Sequence, residues 1–267
     1  MKILITGSKG FIGKNLLDFL RGNEILEINE DIFNTNDWIR ELNEKLNSNK
    51  PEVIFHVGAC SDTLELDANY MMIRNYEFTR RLCNWCKLVG SKMIYSSSAA
   101  NYGTNNQYPS NLYGWSKYAG EDYVINSGGI ALRYFNVYGP NEAQKGRMSS
   151  VAYQMLDKHK KGLEIKIFPK EPKRDFVYVK DIISANLYAM KNYESLHSNW
   201  YEVGSGFART FEDVLNVLKV PFTYTDESEI PNGYQFYTKS EPNKWMPGWQ
   251  SEWNLENGLM DYMEFLR

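Results

Sequence analysis

This 267-residue sequence predicts an α/β fold: a doubly wound parallel sheet followed by a smaller, irregular C-terminal lobe. Three observations carry that prediction. Short β-rich apolar runs alternate with longer helical ones along the first half of the chain. Those runs are continuously apolar, as strands covered on both faces are. The first strand-to-helix junction is a glycine-rich turn, "TGSKGFIG".

Taken in order, "KILITG" (2–7) is the first strand, a helix runs from about Phe11 to Arg21, and "EILEIN" (24–29) is the second strand. The connection "NEDIFNTND" is so short that one strand usual in such sheets is expected to be missing. A helix over about Asp37–Leu46 leads to "EVIFHVGA" (52–59), and a long one over about Asn69–Val89 leads to "KMIYSSS" (92–98). The helix holding "YGWSK" then precedes a single apolar run, "GIALRYFNVYG" (129–139).

Beyond Gly139 the alternation breaks. A turn-rich stretch gives way to a helix over about Ser149–Lys160, a strand "EIKIF" (164–168) and a charged loop. A strand, helix and strand follow in "FVYVKDIISANLYAMKN" and "WYEVGSG", and a terminal helix lies near Leu255–Leu266. Two lobes are therefore expected: 1–140 with about 175–204 as a nucleotide-binding domain, and about 141–174 with 205–267 as a substrate lobe on the C-terminal edges of the sheet.

Composition narrows the function. With 43% hydrophobic and 24% charged residues the chain has the makeup of an ordinary globular protein, so it can bury a core. A net charge of -3 with dispersed lysines and arginines offers no basic field for nucleic acid. No run of 18 apolar residues spans a membrane, and "MKILITG" enters a strand directly, so a cytoplasmic protein is expected. Cys83 and Cys86 have C-x-x-C spacing, but no second pair or histidine cluster completes a metal site, and the three cysteines read as buried thiols.

In the turn, Gly7, Gly10 and Gly13 recur every three residues between the first strand and the first helix. Glycine there permits a tight turn and close backbone approach to a pyrophosphate, which rests on the amides and positive dipole end of the helix opening at Phe11 and Ile12. An acid usually ends the second strand of such Rossmann units and bonds the adenosine ribose; here Asn29 holds that place. Asparagine does not repel a 2′-phosphate, so NAD or NADP is expected, with Glu27, Glu30 and Asp31 favouring NAD. Asp31 and Ile32 are placed near the adenine.

Tyr113 and Lys117 lie four positions apart, one helical turn on one face. "SSSAANYG" closes the preceding strand and puts Ser98 at its ligand-side end. Half ionisation of a phenol near pH 7 requires roughly 4 kcal/mol of preference for the anion. A neighbouring ammonium and an oxidised nicotinamide supply it, while Ser98 holds the substrate oxygen that exchanges the proton.

These motifs, with "FHVGACSDT", "YMM" before Asn75, "RYFNVYGPNEAQKGRMSSVA", "KRDFVYVKDI" and "GYQFYT", resemble the extended short-chain dehydrogenases/reductases of the NAD-dependent sugar-nucleotide epimerase/dehydratase family over nearly the whole chain. Within it the "KG-x-M-x-S-V-A" run is similar to that of the ADP-glyceromanno-heptose 6-epimerases. The resemblance implies a nucleotide-diphosphate sugar substrate, transient oxidation and re-reduction of a sugar carbon, and a homo-oligomer. It implies that Gly58, Ala59, Ser61, Asn75 and Val137 line the cofactor, together with Tyr113 and Lys117. Lys145 would be the second catalytic acid/base, since two faces of one carbon need proton handling from two directions. Asn136, Arg147, Gln154, Phe168, Arg174 and Tyr234 would bind substrate, Arg174 and Tyr234 at the diphosphate.

Some positions depart from the pattern: Arg147 replaces a small polar residue, Gln154 a histidine, and "FPKEP" differs from the usual loop, so reaction type is better specified than substrate. A sugar-nucleotide 4-epimerase or 4-keto-sugar reductase uses the same Ser98, Tyr113 and Lys117 but does not explain Lys145. A dehydratase would need a carboxylate beside the serine, where Ala99 and Ala100 stand. A non-catalytic nucleotide-sensing protein on this fold typically loses the tyrosine or lysine, and both are present.

Overall fold

The computed structural model describes residues 1–104, 106–230 and 234–267, which divide into two compact units. The first comprises Met1–Arg133 and Ile183–Tyr201, the second Tyr134–Ile182 and Glu202–Arg267.

The first unit is built on β1 (Lys2–Thr6), β2 (Glu24–Ile28), β3 (Val53–His56), β4 (Lys92–Ser98) and β5 (Ile130–Tyr134). Its helices are α1 (Phe11–Phe19), α2 (Trp38–Asn49), α3 (Ala68–Met72), α4 (Phe78–Val89) and α5 (Leu112–Asn126). The long helix expected over 69–89 is interrupted by a π-turn, Ile73–Glu77, which turns Asn75 inward to 1% exposure.

The strands form a six-stranded parallel sheet in the order β2-β1-β3-β4-β5-β9, where β9 is Asn199–Val203. The short connection after β2 has indeed dropped a strand, leaving β2 at the edge. Its burial shows this: β3 is buried throughout, whereas only Ile28 of β2 is. Leu4, Ile54 and Met93 of the sheet pack with Leu42, Leu46, Leu82 and Val124 of the helices. The strand order reverses between β1 and β3, the place where open α/β sheets bind ligands.

In the second unit are β6 (Asn136–Tyr138), α6 (Val151–Lys160), β7 (Lys166–Ile167) and β8 (Lys173–Tyr178). α7 (Val179–Lys191) leads back into the first unit, which also holds α8 (Tyr193–Leu196), and the second unit then continues with β10 (Ala208–Thr210), α9 (Phe211–Leu218), β11 (Thr223–Tyr224) and α10 (Leu255–Phe265). β8 pairs in parallel with β6 and antiparallel with β10, and β7 pairs with β11. The run expected as one strand over 129–139 is therefore two. It breaks at Phe135, whose amide donates to Val203 O, and β6 joins the smaller sheet. Periodicity could not reveal this, because both halves are apolar.

Buried carboxylates brace the loops of this unit. Asp175, fully buried, accepts from the amides and hydroxyls of Ser205 and Ser240 at 2.6–2.8 Å. Glu142, also fully buried, accepts from Gly139 N at 3.0 Å and Ser150 N at 2.5 Å, fixing both ends of the turn that carries Lys145.

Candidate active site

The glycine turn lies where β1 ends. Gly7 has φ +68°, and a Cβ there would lie 2.5 Å from Gly58 Cα; one at Gly13 would lie 2.0 Å from Gly7 O. Only glycine fits either position. Gly10 is the α1 N-cap, and no side chain caps the first turn that Phe11 and Ile12 open. That arrangement fits the pyrophosphate of a dinucleotide.

Beside it is a cavity of about 280 Å³ lined by Lys9, Glu27, Asn29, Asp31, Ile32 and Lys45. The Asn29 amide faces the turn rather than open space: its oxygen accepts from Lys9 N at 3.0 Å and its nitrogen donates to Ser8 Oγ at 3.0 Å. Ser8 Oγ donates in turn to Glu27 at 2.5 Å. A ribose contact by Asn29 would compete with these bonds; the carboxylates of this cavity are Glu27, Asp31 and Glu41. Glu27 was read from the sequence as favouring NAD, whereas Ser8, which ties it to the turn, was not singled out there.

Gly58 follows β3 against Gly7, while Ala59 and Ser61 are exposed on the same connection. Asn75 closes that connection, accepting from Cys60 N at 2.7 Å and donating to Cys60 O at 2.9 Å. Its amide also reaches Ser116 Oγ on α5 at 2.9 Å. Asn75 therefore fixes the backbone of residue 60 in the connection after β3.

Asn111 caps α5, its side chain accepting from Gly114 N at 2.8 Å. Gly120 brings α5 against β4: a Cβ there would lie 2.6 Å from Tyr95 Oη. The Tyr113 hydroxyl is hydrogen-bonded to Ser98, whose Oγ also accepts from Ala100 N at 3.1 Å. Burial raises the Tyr113 phenol, and the Ser98 bond opposes that shift. Lys117 is 2% exposed, with Nζ 4.2 Å from the Tyr95 ring centroid. Burial lowers it to about 7, partly offset by Glu121 one turn further along α5. Burial therefore disfavours both the phenolate and the ammonium, and the charged pair expected from the sequence includes the oxidised nicotinamide as a further positive charge. A bound cation is needed to favour the phenolate.

Glu121 anchors this end of α5. It is 2% exposed and accepts from Ser97 Oγ at 2.6 Å and from the Arg133 guanidinium at 2.5–3.1 Å. Its helical spacing from Lys117 was the available sequence signal.

In the second unit, Lys145 lies half-buried on a short 3-10 segment, Ala143–Met148. Burial lowers its amine, and Glu142 opposes the shift. Arg147 is exposed on the same segment; Gln154 donates to Ser149 O at 2.8 Å and Arg147 O at 3.2 Å, so it holds the Lys145 turn. Asn136 is exposed on β6 and accepts from Thr238 Oγ1 at 3.1 Å; Val137 beside it is half-buried.

Arg174 is 8% exposed, and among the described residues no carboxylate pairs with it. The neighbouring Asp175 is engaged by Ser205 and Ser240 instead. The guanidinium donates to Lys173 O at 3.0 Å and lies 5.2 Å from the Tyr234 ring, which packs edge-on to Phe168. A largely buried guanidinium without a counter-ion is a ready anion partner. Gly233, which opens the "GYQFYT" segment, lies outside the described residues.

The model of the NAD dependent epimerase/dehydratase family matches residues 3–204. The chain belongs to that family. This epimerase/dehydratase family member is 33% identical to the ADP-L-glycero-D-manno-heptose-6-epimerase of Brachyspira hyodysenteriae, covering 99% of this chain and 97% of that protein. It is 31% identical to the enzyme of the same name from Alkalilimnicola ehrlichii, covering 98% and 96%. Among solved structures it resembles the Helicobacter pylori ADP-L-glycero-D-manno-heptose-6-epimerase, with TM-score 0.84, 28% identity and coverage of 99% and 96%. The UDP-glucose 4-epimerase of Thermotoga maritima shares the fold at TM-score 0.86 and 23% identity, covering 100% and 99%. Fold, family and relatives make this family member an NAD(P)-dependent enzyme of the epimerase class. Among the described residues no His/Cys/Asp/Glu cluster could hold a metal, and no helix is long and apolar enough to cross a membrane.

Proposed function

We infer that the protein is an ADP-heptose 6-epimerase-like enzyme that inverts a sugar carbon of a nucleotide-diphosphate sugar, using NAD in preference to NADP. Two enzymes of that name aligned over almost the entire chain, and the Lys145 turn bounded by Glu142, are what carry this reading. The cavity beside the glycine turn carries Glu27, Asp31 and Glu41 against Lys9 and Lys45, and this excess of carboxylates supports NAD, because carboxylates repel a 2′-phosphate.

Bound at the glycine turn, the dinucleotide supplies reversible oxidation of a sugar carbon. The protein's part is proton management and positioning. Tyr113 takes the proton from the sugar hydroxyl as the carbonyl forms, Ser98 holds that oxygen, and protonated Lys117 stabilises the phenolate. Lys145 returns a proton when the oxygen is presented from the other side, a task its burial-lowered amine suits. Arg174 takes the diphosphate with two parallel N–H bonds, and Tyr234 flanks it.

The test is to incubate the purified protein with ADP-, UDP-, GDP- and dTDP-sugars and follow stereochemistry by NMR. Inversion at C6 of ADP-heptose without net cofactor consumption is expected. Inversion at C4 of a UDP-sugar, or stoichiometric loss of NADPH, would replace this reading with a 4-epimerase or a 4-keto-sugar reductase.

A further inference from the structure

His56 ends β3 fully buried, and nothing in the chemistry above uses it. Its Nδ1 is 2.7 Å from Thr6 Oγ1 and its Nε2 is 2.8 Å from Thr79 Oγ1. Thr6 Oγ1 accepts from Gly58 N at 3.0 Å, so its own proton is available to Nδ1. Thr79 donates its proton to the Asn75 carbonyl at 2.5 Å, so Thr79 Oγ1 accepts from Nε2. Donor and acceptor counting thus gives a neutral imidazole with its proton on Nε2. Burial and the nearby Lys117 favour the same neutral form. The ring is held 5.4 Å from those of Phe78 and Tyr95.

The bonds continue at both ends. Thr6 and Gly58 flank the Gly7 contact that forms the pyrophosphate turn. From Asn75, in the π-turn, Nδ2 donates to Ser116 Oγ at 2.9 Å, and Ser116 Oγ donates to Tyr113 O at 2.8 Å. Two sets of bonds, Thr6–His56–Thr79–Asn75 O and Asn75 Nδ2–Ser116–Tyr113 O, meet at Asn75 and so link the ends of β1 and β3 through α4 and the π-turn to the start of α5.

We propose that His56 is a positioning residue that locks the dinucleotide turn to the helix carrying Tyr113 and Lys117, so that cofactor binding and proton transfer share one register. Two threonine hydroxyls, one from each element, meet a single imidazole that donates on one side and accepts on the other; an apolar side chain of the same size would fill the volume and make neither bond. The proposal rests on the dinucleotide reading of the glycine turn and not on the identity of the sugar.

The test compares His56→Phe, which keeps an aromatic ring and loses both bonds, with His56→Gln, whose amide can accept and donate. Loss of a buried hydrogen-bonded bridge is expected to weaken NAD binding roughly tenfold in His56→Phe. kcat should fall by a similar factor while KM for the sugar nucleotide stays unchanged, and His56→Gln should recover much of both. Binding of NAD is read by fluorescence without any sugar, so it reports even where the ADP-heptose assignment fails. The near-isosteric Thr6→Val and Thr79→Val each cut one bond to the imidazole, the first also removing the acceptor of Gly58 N and the second the bond to the Asn75 carbonyl, and serve if His56→Phe does not fold. With three histidines in the chain, the ring is also traceable by 15N NMR, where Nδ1 should be bare and Nε2 protonated. Wild-type NAD affinity and kcat in His56→Phe, or in the Thr6→Val/Thr79→Val pair, would overturn the proposal, as would a proton on Nδ1.

Discussion

At the scale of single residues, the site turns on how burial treats two neighbours of opposite charge type. Tyr113 is raised and Lys117 lowered to about 7, both by desolvation. A positive charge placed beside them favours the phenolate. The tyrosinate absorbance of wild type minus Tyr113→Phe should therefore titrate at lower pH with NAD than without, and Tyr113→Phe should bind NAD yet lose turnover. Lys117→Met should also lose activity but gain stability, by about 1–3 kcal/mol, because a buried cation is replaced by an apolar chain. The sign with pH follows from linkage. An unfolded lysine titrates near 10.5 and the folded one near 7, so the unfolded chain binds the extra proton between those values. The gain is therefore largest below pH 7 and fades as pH rises toward 10.5, which denaturant melts at several pH values check. Lys145→Ala should reduce kcat by about 10²-fold or more while leaving KM within a few fold, read by steady-state kinetics.

At the scale of elements, the glycine turn and α5 were legible in the sequence because their constraints are local. Gly7 and Gly13 are dictated by backbone contacts of 2.5 and 2.0 Å, and the spacing of Tyr113 and Lys117 is one helical turn. Gly13→Ala should accordingly cost at least about 2–3 kcal/mol in denaturation and abolish NAD binding, since its Cβ would meet backbone rather than a movable side chain. What the sequence hid depends on tertiary partners. The break at Phe135 is set by which sheet each half joins, and the π-turn at Asn75 by bonds to Cys60 and Ser116. Asn29 was expected at the ribose from its place at the end of β2; its engagement with Ser8 and Lys9 arises from how the glycine turn folds back on it.

At the scale of the whole molecule, alternating apolar runs predicted the parallel sheet, and the short stretch after β2 predicted the dropped strand, because connection length limits topology directly. The second unit was less legible: two- and three-residue strands such as β7 and β10 carry too little periodicity to stand out. Its organising groups, Asp175 and Glu142, are charged residues that sequence pattern alone would place on the surface. Each unit carries one part of the proposed chemistry, redox positioning at the glycine turn and α5 in the first, the second acid/base and the diphosphate arginine in the second. In the proposed reaction the same bound dinucleotide would take and return the hydride, so that no net oxidant or reductant is consumed. Incubating the protein with ADP-heptose in D2O and following C6 by 1H NMR tests it most directly: inversion with protium retained at C6 and no loss of NAD is expected, whereas deuterium at C6, or stoichiometric consumption of the dinucleotide, would contradict it.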